Sequence, residues 1–264
     1  MPGANHGIVI QERDRHLLKE LALLRVIDRE QAKVIGAFGS TTRVNTRLLA
    51  LTKAGMLRRF FLGASEGSRK AVYTLGPKGA SLIGAAPRGL RRPNDGLLVA
   101  DFVVLHQLAI NDFYCTLKNS AVASGISLVR WLSFHEPLAK NLPLIPDGYF
   151  ELSTPTLSIA AFLELDLGHE RLTVWKDKIK NYLQFAILGD YKRMFGQDQF
   201  RILVVANSER RLLSIRKTVR ASTQKIFWFA TIESIQSQGL FAPVWLRTDG
   251  DNRQSLLPDI QNMS

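Results

Sequence analysis

Cysteine is almost absent from this 264-residue chain, with Cys115 the single copy. That excludes an intrachain disulfide framework and any four-cysteine zinc site, and it suits a reducing compartment. Long apolar runs are missing as well. No stretch reaches the roughly 18 apolar residues of a membrane-spanning helix. The opening MPGANHGIVIQERDR has no apolar segment of signal-peptide length. The expectation is a cytoplasmic protein with no membrane partner. There is also no Walker A sequence, no Rossmann glycine fingerprint and no recognisable Ser–His–Asp order, so ATPase, dehydrogenase and serine-hydrolase chemistry lack support.

Acidic residues are scarce in one region only. Residues 1–93 carry 17 Lys and Arg against 6 Asp and Glu, a net of +11. Residues 94–264 carry 18 against 17, a net of +1. A positive field confined to the front third implies a polyanionic partner. Nucleic acid fits it better than membrane, because no long, strongly amphipathic surface helix accompanies the charge.

The length accommodates two ordinary domains, and hydrophobic residues at 46% against 22% charged describe a chain that folds. Leu17, Leu18, Leu21 and Leu24 recur at helical spacing over 11–26. Asp28 suits the cap of a second, short helix. Ser40 or Thr41 opens a third, running to about Lys53 with Val44, Leu48 and Leu51 facing inward, and Gly55 stops it. The segment MLRRFF (56–61), a polar turn and AVYTL (71–75) then read as a hairpin, with a short helix over PKGASLIG. Three helices followed by a hairpin is the winged helix-turn-helix order, assigned to residues 10–85. The Pro-, Gly- and Arg-rich stretch 86–96 marks a boundary. Beyond it, residues 97–250 are expected to form an α/β domain. A long helix over 97–119 is followed by strands near 127–134, 147–152 and 158–166, a helix over 170–188 and a strand at 201–206. A helix over 208–220 and strands at 226–230 and 243–247 complete it. The fold class is thus α+β, a winged helix-turn-helix followed by a sheet with helical cover.

In a helix-turn-helix the second helix of the motif enters the major groove. Here it is TTRVNTRLLALTK, whose early outward residues are Thr42, Arg43, Asn45, Thr46 and Arg47. Arginine pairs two-pronged with guanine and asparagine with adenine, and threonine and arginine also bind phosphates. Arg58 and Arg59 on the first wing strand, with Arg69 and Lys70 at the wing's edge, suit phosphate or minor-groove contact. Double-stranded DNA is the expected partner, and a homodimer would suit a palindromic site.

The second domain holds IPDGYFEL and SIAAFLELDLG. Strand alternation puts Asp147, Tyr149 and Glu151 on one face, and Phe162, Glu164 and Asp166 on one face of the next strand. If the strands pair, Asp147, Glu164 and Asp166 converge and need a neutralising cation or basic partner. Mg²⁺ or Mn²⁺ prefers such oxygen ligands and can promote phosphodiester hydrolysis. Salt bridges to Arg171, Lys178 or Arg201 are the alternative. The four tryptophans, Trp131, Trp175, Trp228 and Trp245, read as core or interface residues.

These segments, with His106, Asn111–Tyr114 and WKDKIKNY, resemble the replication-relaxation family of bacterial plasmids and integrated mobile elements. The C-terminal part is similar to the PD-(D/E)xK nuclease superfamily. That resemblance implies Asp147 as first metal ligand, Glu164 as second and the Leu165 carbonyl as a third. The chain departs from the motif at Asp166, which stands where the catalytic lysine is expected. Lys178 is the best substitute, since its i,i+4 spacing gives it a common helix face with Tyr182. The resemblance leaves two expectations. One is a DNA-binding protein of plasmid or mobile-element replication or transfer, with metal-dependent cleavage by Asp147, Glu164 and Lys178. The other is a non-enzymatic regulator whose α/β domain dimerises or binds a partner, with Asp166 neutralised by a fixed arginine or lysine.

Overall fold

The N-terminal basic region folds around its helical leucines. The computed structural model describes residues 8–63, 70–86 and 100–257, and its contacts divide the chain into two units, Met1–Cys115 and Thr116–Ser264. The first unit opens with α1 (Glu12–Leu24), β1 (Ile27–Asp28), α2 (Arg29–Ile35) and α3 (Thr41–Lys53). It continues with β2 (Leu57–Phe61), β3 (Ala71–Leu75) and α4 (Pro77–Ile83). Leu17, Leu18, Leu21, Val44, Leu48 and Leu51 are all fully buried, as their spacing requires. Asp28 caps α2 by accepting from the Gln31 amide at 2.8 Å, and Ser40 caps α3 by accepting from the Arg43 amide at 3.3 Å. Gly55, at φ +76°, takes the left-handed turn out of α3.

The hairpin β2–β3 is antiparallel with Arg59 opposite Tyr73. The two-residue β1, too short to show in the pattern, adds to its other edge and gives the order β1-β3-β2. The first unit is thus a group of short helices around a small three-stranded antiparallel sheet, in the element order that the sequence led one to expect.

Helix α5 (Asp101–Ala123) spans the division between the units. The sequence places it wholly at the head of the second domain, yet its first part is bonded into the first unit. Asn111 Nδ2 donates to the Val26 and Leu24 carbonyls. Gln31 Nε2 donates to the Leu108 carbonyl at 2.8 Å and to Asp112 Oδ1 at 2.7 Å. Tyr114 donates its hydroxyl to Glu20 at 2.6 Å. Val104 and Leu108 pack with Val26, Leu62 and Val72. Buried side-chain amides that satisfy main-chain carbonyls fix the register of a helix.

The second unit is a six-stranded mixed sheet with helices. Its elements are β4 (Ser127–Leu132), β5 (Gly148–Ser153), β6 (Ser158–Asp166), α6 (Leu172–Ile187), α7 (Asp190–Phe195) and β7 (Arg201–Ala206). Then come α8 (Glu209–Arg220), β8 (Phe227–Thr231), α9 (Ile232–Gln238) and β9 (Leu246–Arg247). The order is β4-β5-β6-β7-β8-β9. β4, β5 and β6 form an antiparallel meander. β6, β7 and β8 run parallel, so helical crossovers must join them. On one face Phe162, Ile202, Val204, Phe227 and Phe229 pack against Trp175, Ile179, Tyr182 and Phe185 of α6 and Leu212, Ile215 and Val219 of α8.

Candidate functional sites

The DNA-facing expectation rests on which α3 side chains stay outside. Val44, Leu48 and Leu51 bury one stripe, leaving Thr42, Arg43, Asn45 and Thr46 exposed on the other. A cavity of about 300 Å³ on one side of α3 is lined by Arg13, Phe38, Thr42, Arg43, Thr46 and Arg47. A second, of about 440 Å³, is lined by Asn45, Lys70, Tyr73 and the start of α2.

Two of the predicted contacts are engaged inside the protein. Arg47 turns its guanidinium onto Asp14, with Nε donating at 2.8 Å and Nη2 donating to the second carboxylate oxygen. Nη2 also reaches the Val9 carbonyl at 2.6 Å. Asp14 is fully buried, so Arg47 neutralises an internal acid and has no open fork to offer a base. Lys70 Nζ lies 2.7 Å from Asp28 and remains half exposed. Arg58 and Arg59 are exposed on β2, and Arg59 lies over the Phe61 ring at 5.1 Å. Arg69, like the boundary residues Arg91 and Arg92, falls outside the described residues. The sequence did not single out Arg13, whose guanidinium sits 5.2 Å from the Phe38 ring in the α3 groove. Its only signal was an outward cation in the first turn of α1.

In the second unit the strand pairing brings the expected acids together. Gly148 pairs with Leu163, so continuing the register puts Asp147 across from Glu164. The Asp147 amide donates to the Leu163 carbonyl at 3.1 Å, and the Leu165 amide donates back to Asp147 Oδ2 at 2.7 Å. Helix α6 then supplies both partners of Glu164. Lys178 Nζ donates to Oε2 at 2.8 Å and Tyr182 donates its hydroxyl to Oε1 at 2.6 Å. Lys178 also pairs with Glu170 at 2.8 Å.

Burial pushes the Glu164 carboxyl up to about 7, with Asp147's charge adding to it and Lys178 pulling the other way. Burial works to lower Lys178, but the charges of Glu164, Asp147 and Glu170 outweigh it and hold the ammonium firmly protonated. Tyr182 is raised by its burial and by Glu164, so it stays a hydroxyl donor.

Asp166 shares a sheet face with Glu164 but has its own partners. Arg211 of α8 takes both of its oxygens. The Trp175 indole donates at 2.8 Å and the Gly168 amide at 2.7 Å. Burial alone would raise this carboxyl, but these donors leave it below the ordinary carboxylate range. The basic partners weighed from sequence were Arg171, Lys178 and Arg201. Lys178 does pair with Glu164, whereas Asp166 is held by an arginine that lies 45 positions away in sequence.

No described helix is long and apolar enough to cross a membrane. No curated protein and no solved structure matches the chain. A family model, replication-relaxation, matches residues 18–197, from within α1 to just past α7. That match takes in the α3 face and the Asp147–Glu164–Lys178 cluster, and it covers most of the sequence. The chain belongs to the replication-relaxation family.

Proposed function

We propose that this protein binds duplex DNA through α3 and the β2–β3 wing, in the replication or transfer of a plasmid or mobile element. We further propose that its second unit acts as a scaffold for dimerisation or partner binding. The observation that carries DNA binding is the outward row Thr42, Arg43, Asn45 and Thr46 on α3, on the second helix of a helix-turn-helix. Arg43 and Asn45 are the side chains with base-reading chemistry, each worth ~1–3 kcal/mol of discrimination. Arg58, Arg59 and Lys70 would supply salt-dependent phosphate contacts, Lys70 by exchanging Asp28 for a phosphate.

The scaffold reading is supported over the metal-dependent one by how the acids of the second unit are satisfied. A divalent ion needs open carboxylate oxygens. Both oxygens of Glu164 accept from Lys178 and Tyr182, and both oxygens of Asp166 accept from Arg211. Glu164 is only 1% exposed. The residues in this arrangement do not fit Mg²⁺ or Mn²⁺, because the Lys178 ammonium already supplies the neutralising charge.

Metal-dependent cleavage is the second reading. It is favoured by one observation, the convergence of Asp147, Glu164 and Lys178, and it requires Glu164 to release its partners.

The test is to titrate labelled duplex DNA at several salt concentrations, then incubate plasmid and duplex with Mg²⁺ or Mn²⁺ beside D147A and E164A. Binding that weakens steeply with salt, without metal-dependent cutting, is the expected result. Cutting that is lost in both variants while binding survives would replace the scaffold with a nuclease. Weak, salt-insensitive binding would remove the DNA assignment altogether.

A further inference from the structure

On the sheet face opposite the α6–α8 core, two arginines meet a tryptophan. Trp228 of β8 stands opposite Arg247 of β9 and Leu203 of β7. Arg201 begins β7 two residues before Leu203, so strand alternation places all three on one face. The Arg201 guanidinium carbon lies 4.6 Å from the Trp228 ring centroid and that of Arg247 lies 4.5 Å from it. Both arginines are partly buried.

A pair of guanidiniums this close, and this far out of water, calls for counter-charge. Among the described residues neither has a carboxylate partner. Arg201 Nη1 donates to the Leu256 carbonyl at 2.6 Å, a neutral acceptor. Arg247 Nε is buried with no hydrogen-bond partner among the described residues. The neighbouring acid Asp251 is taken by Arg216 at 3.1 Å. Burial and the charge of Arg247 lower Arg201 from its ordinary value, yet a guanidinium does not give up its proton in proteins. The indole face offsets part of the cost through cation–π attraction, and among the described residues no carboxylate compensates the net charge of the pair.

We infer that Arg201 and Arg247 form a binding site for a phosphate group, with Trp228 as the rigid platform that holds the two guanidiniums in place. Planar guanidinium forks match the geometry of phosphate oxygens, which is why arginine serves this role. Trp228 is only 5% exposed, so the ligand is the oxyanion and base stacking plays no part. The phosphate can come from a free phosphate or nucleotide, or from a DNA strand.

The full-length protein is titrated with inorganic phosphate and, at matched ionic strength, with chloride, and the melting temperature is followed. Phosphate is expected to raise it and chloride is not. R201Q and R247Q are each expected to weaken phosphate binding by about tenfold or more, since each removes one charge-assisted fork. R247K keeps the charge without the fork and should fall between. Phosphate that stabilises the wild-type chain no more than chloride does overturns the site, and that comparison needs no variant to fold. Phosphate affinity unchanged in both glutamine variants overturns it too. A short labelled duplex separates the sources. Weakened duplex binding in R247Q assigns the site to a DNA phosphate, and unchanged duplex binding assigns it to a free phosphate or nucleotide.

Discussion

Arg211 grips Asp166 side-on, with Nε 2.9 Å from one carboxylate oxygen and Nη2 2.7 Å from the other. Asp166 is therefore balanced by a residue from α8, and the Trp175 indole completes its shell.

Removing that arginine strands a buried charge. Arg211→Met is expected to cost about 3–5 kcal/mol of stability at neutral pH, the usual cost of an unpaired buried ion. Because the folded-state pKa of Asp166 lies below its ordinary value, its contribution is present above the unfolded pKa and is lost as pH falls through the folded one. Urea midpoints for wild type and R211M should therefore converge as the pH is lowered into the acid range. A constant gap between them would show that Asp166 is not held down by Arg211.

Glu164 behaves oppositely. Its folded pKa is raised to about 7 from the ordinary 4.5, so its contribution to stability is fully present below 4.5 and is lost as pH rises through 7. The stability of E164Q relative to wild type should rise across that window by about 3 kcal/mol, from 1.36 kcal/mol per pKa unit. Denaturation of the two proteins at pH 4.5, 6 and 8 measures this. A flat difference would mean that Lys178 and Tyr182 hold Glu164 ionised throughout.

Arg43 and Arg47 lie one turn apart on α3 and should fail in different ways. R43A is expected to lose ~1–3 kcal/mol of binding to a cognate duplex and to relax base preference at one position, with its melting temperature unchanged. R47A leaves the fully buried Asp14 unpaired and should lose several kcal/mol of fold stability. Paired binding and thermal-melt measurements separate them. Equal melting temperatures for R47A and wild type would return Arg47 to the DNA face.

Glycine 79 offers a test of packing in the first unit. Within a helix, Gly→Ala normally stabilises by about 0.5–1 kcal/mol. A Cβ on Gly79 would collide with the Met56 carbonyl oxygen and crowd Leu18 Cδ2 at 3.2 Å. G79A should instead destabilise by about 1–3 kcal/mol, visible as a lowered urea midpoint. A raised midpoint would show that α4 can shift away from Met56.

Much of this was legible in the chain itself. Val44, Leu48 and Leu51 announce α3 by period, and Ser40 marks its start by capping chemistry. Alternation named the face that carries Glu164 and Asp166 and the helix face that carries Lys178 and Tyr182. These are local signals, carried by residues within one or two turns of each other. The short elements β1, α7 and α9 were missed because so few residues carry little periodicity, and no cap or proline was read at them as Asp28 was for α2.

What the sequence by itself determined is therefore the element order, the inward stripes and the concentration of positive charge in the front third. Which charges would be used internally was decided only in three dimensions. Asp14 met Arg47, Asp166 met Arg211, Asn111 reached Val26, and Arg201 and Arg247 converged on Trp228, all across separations that no local pattern encodes. The physical reason is that a charge is worth little in water and much when buried. Its role is settled by whichever group the fold brings to its side once water has left.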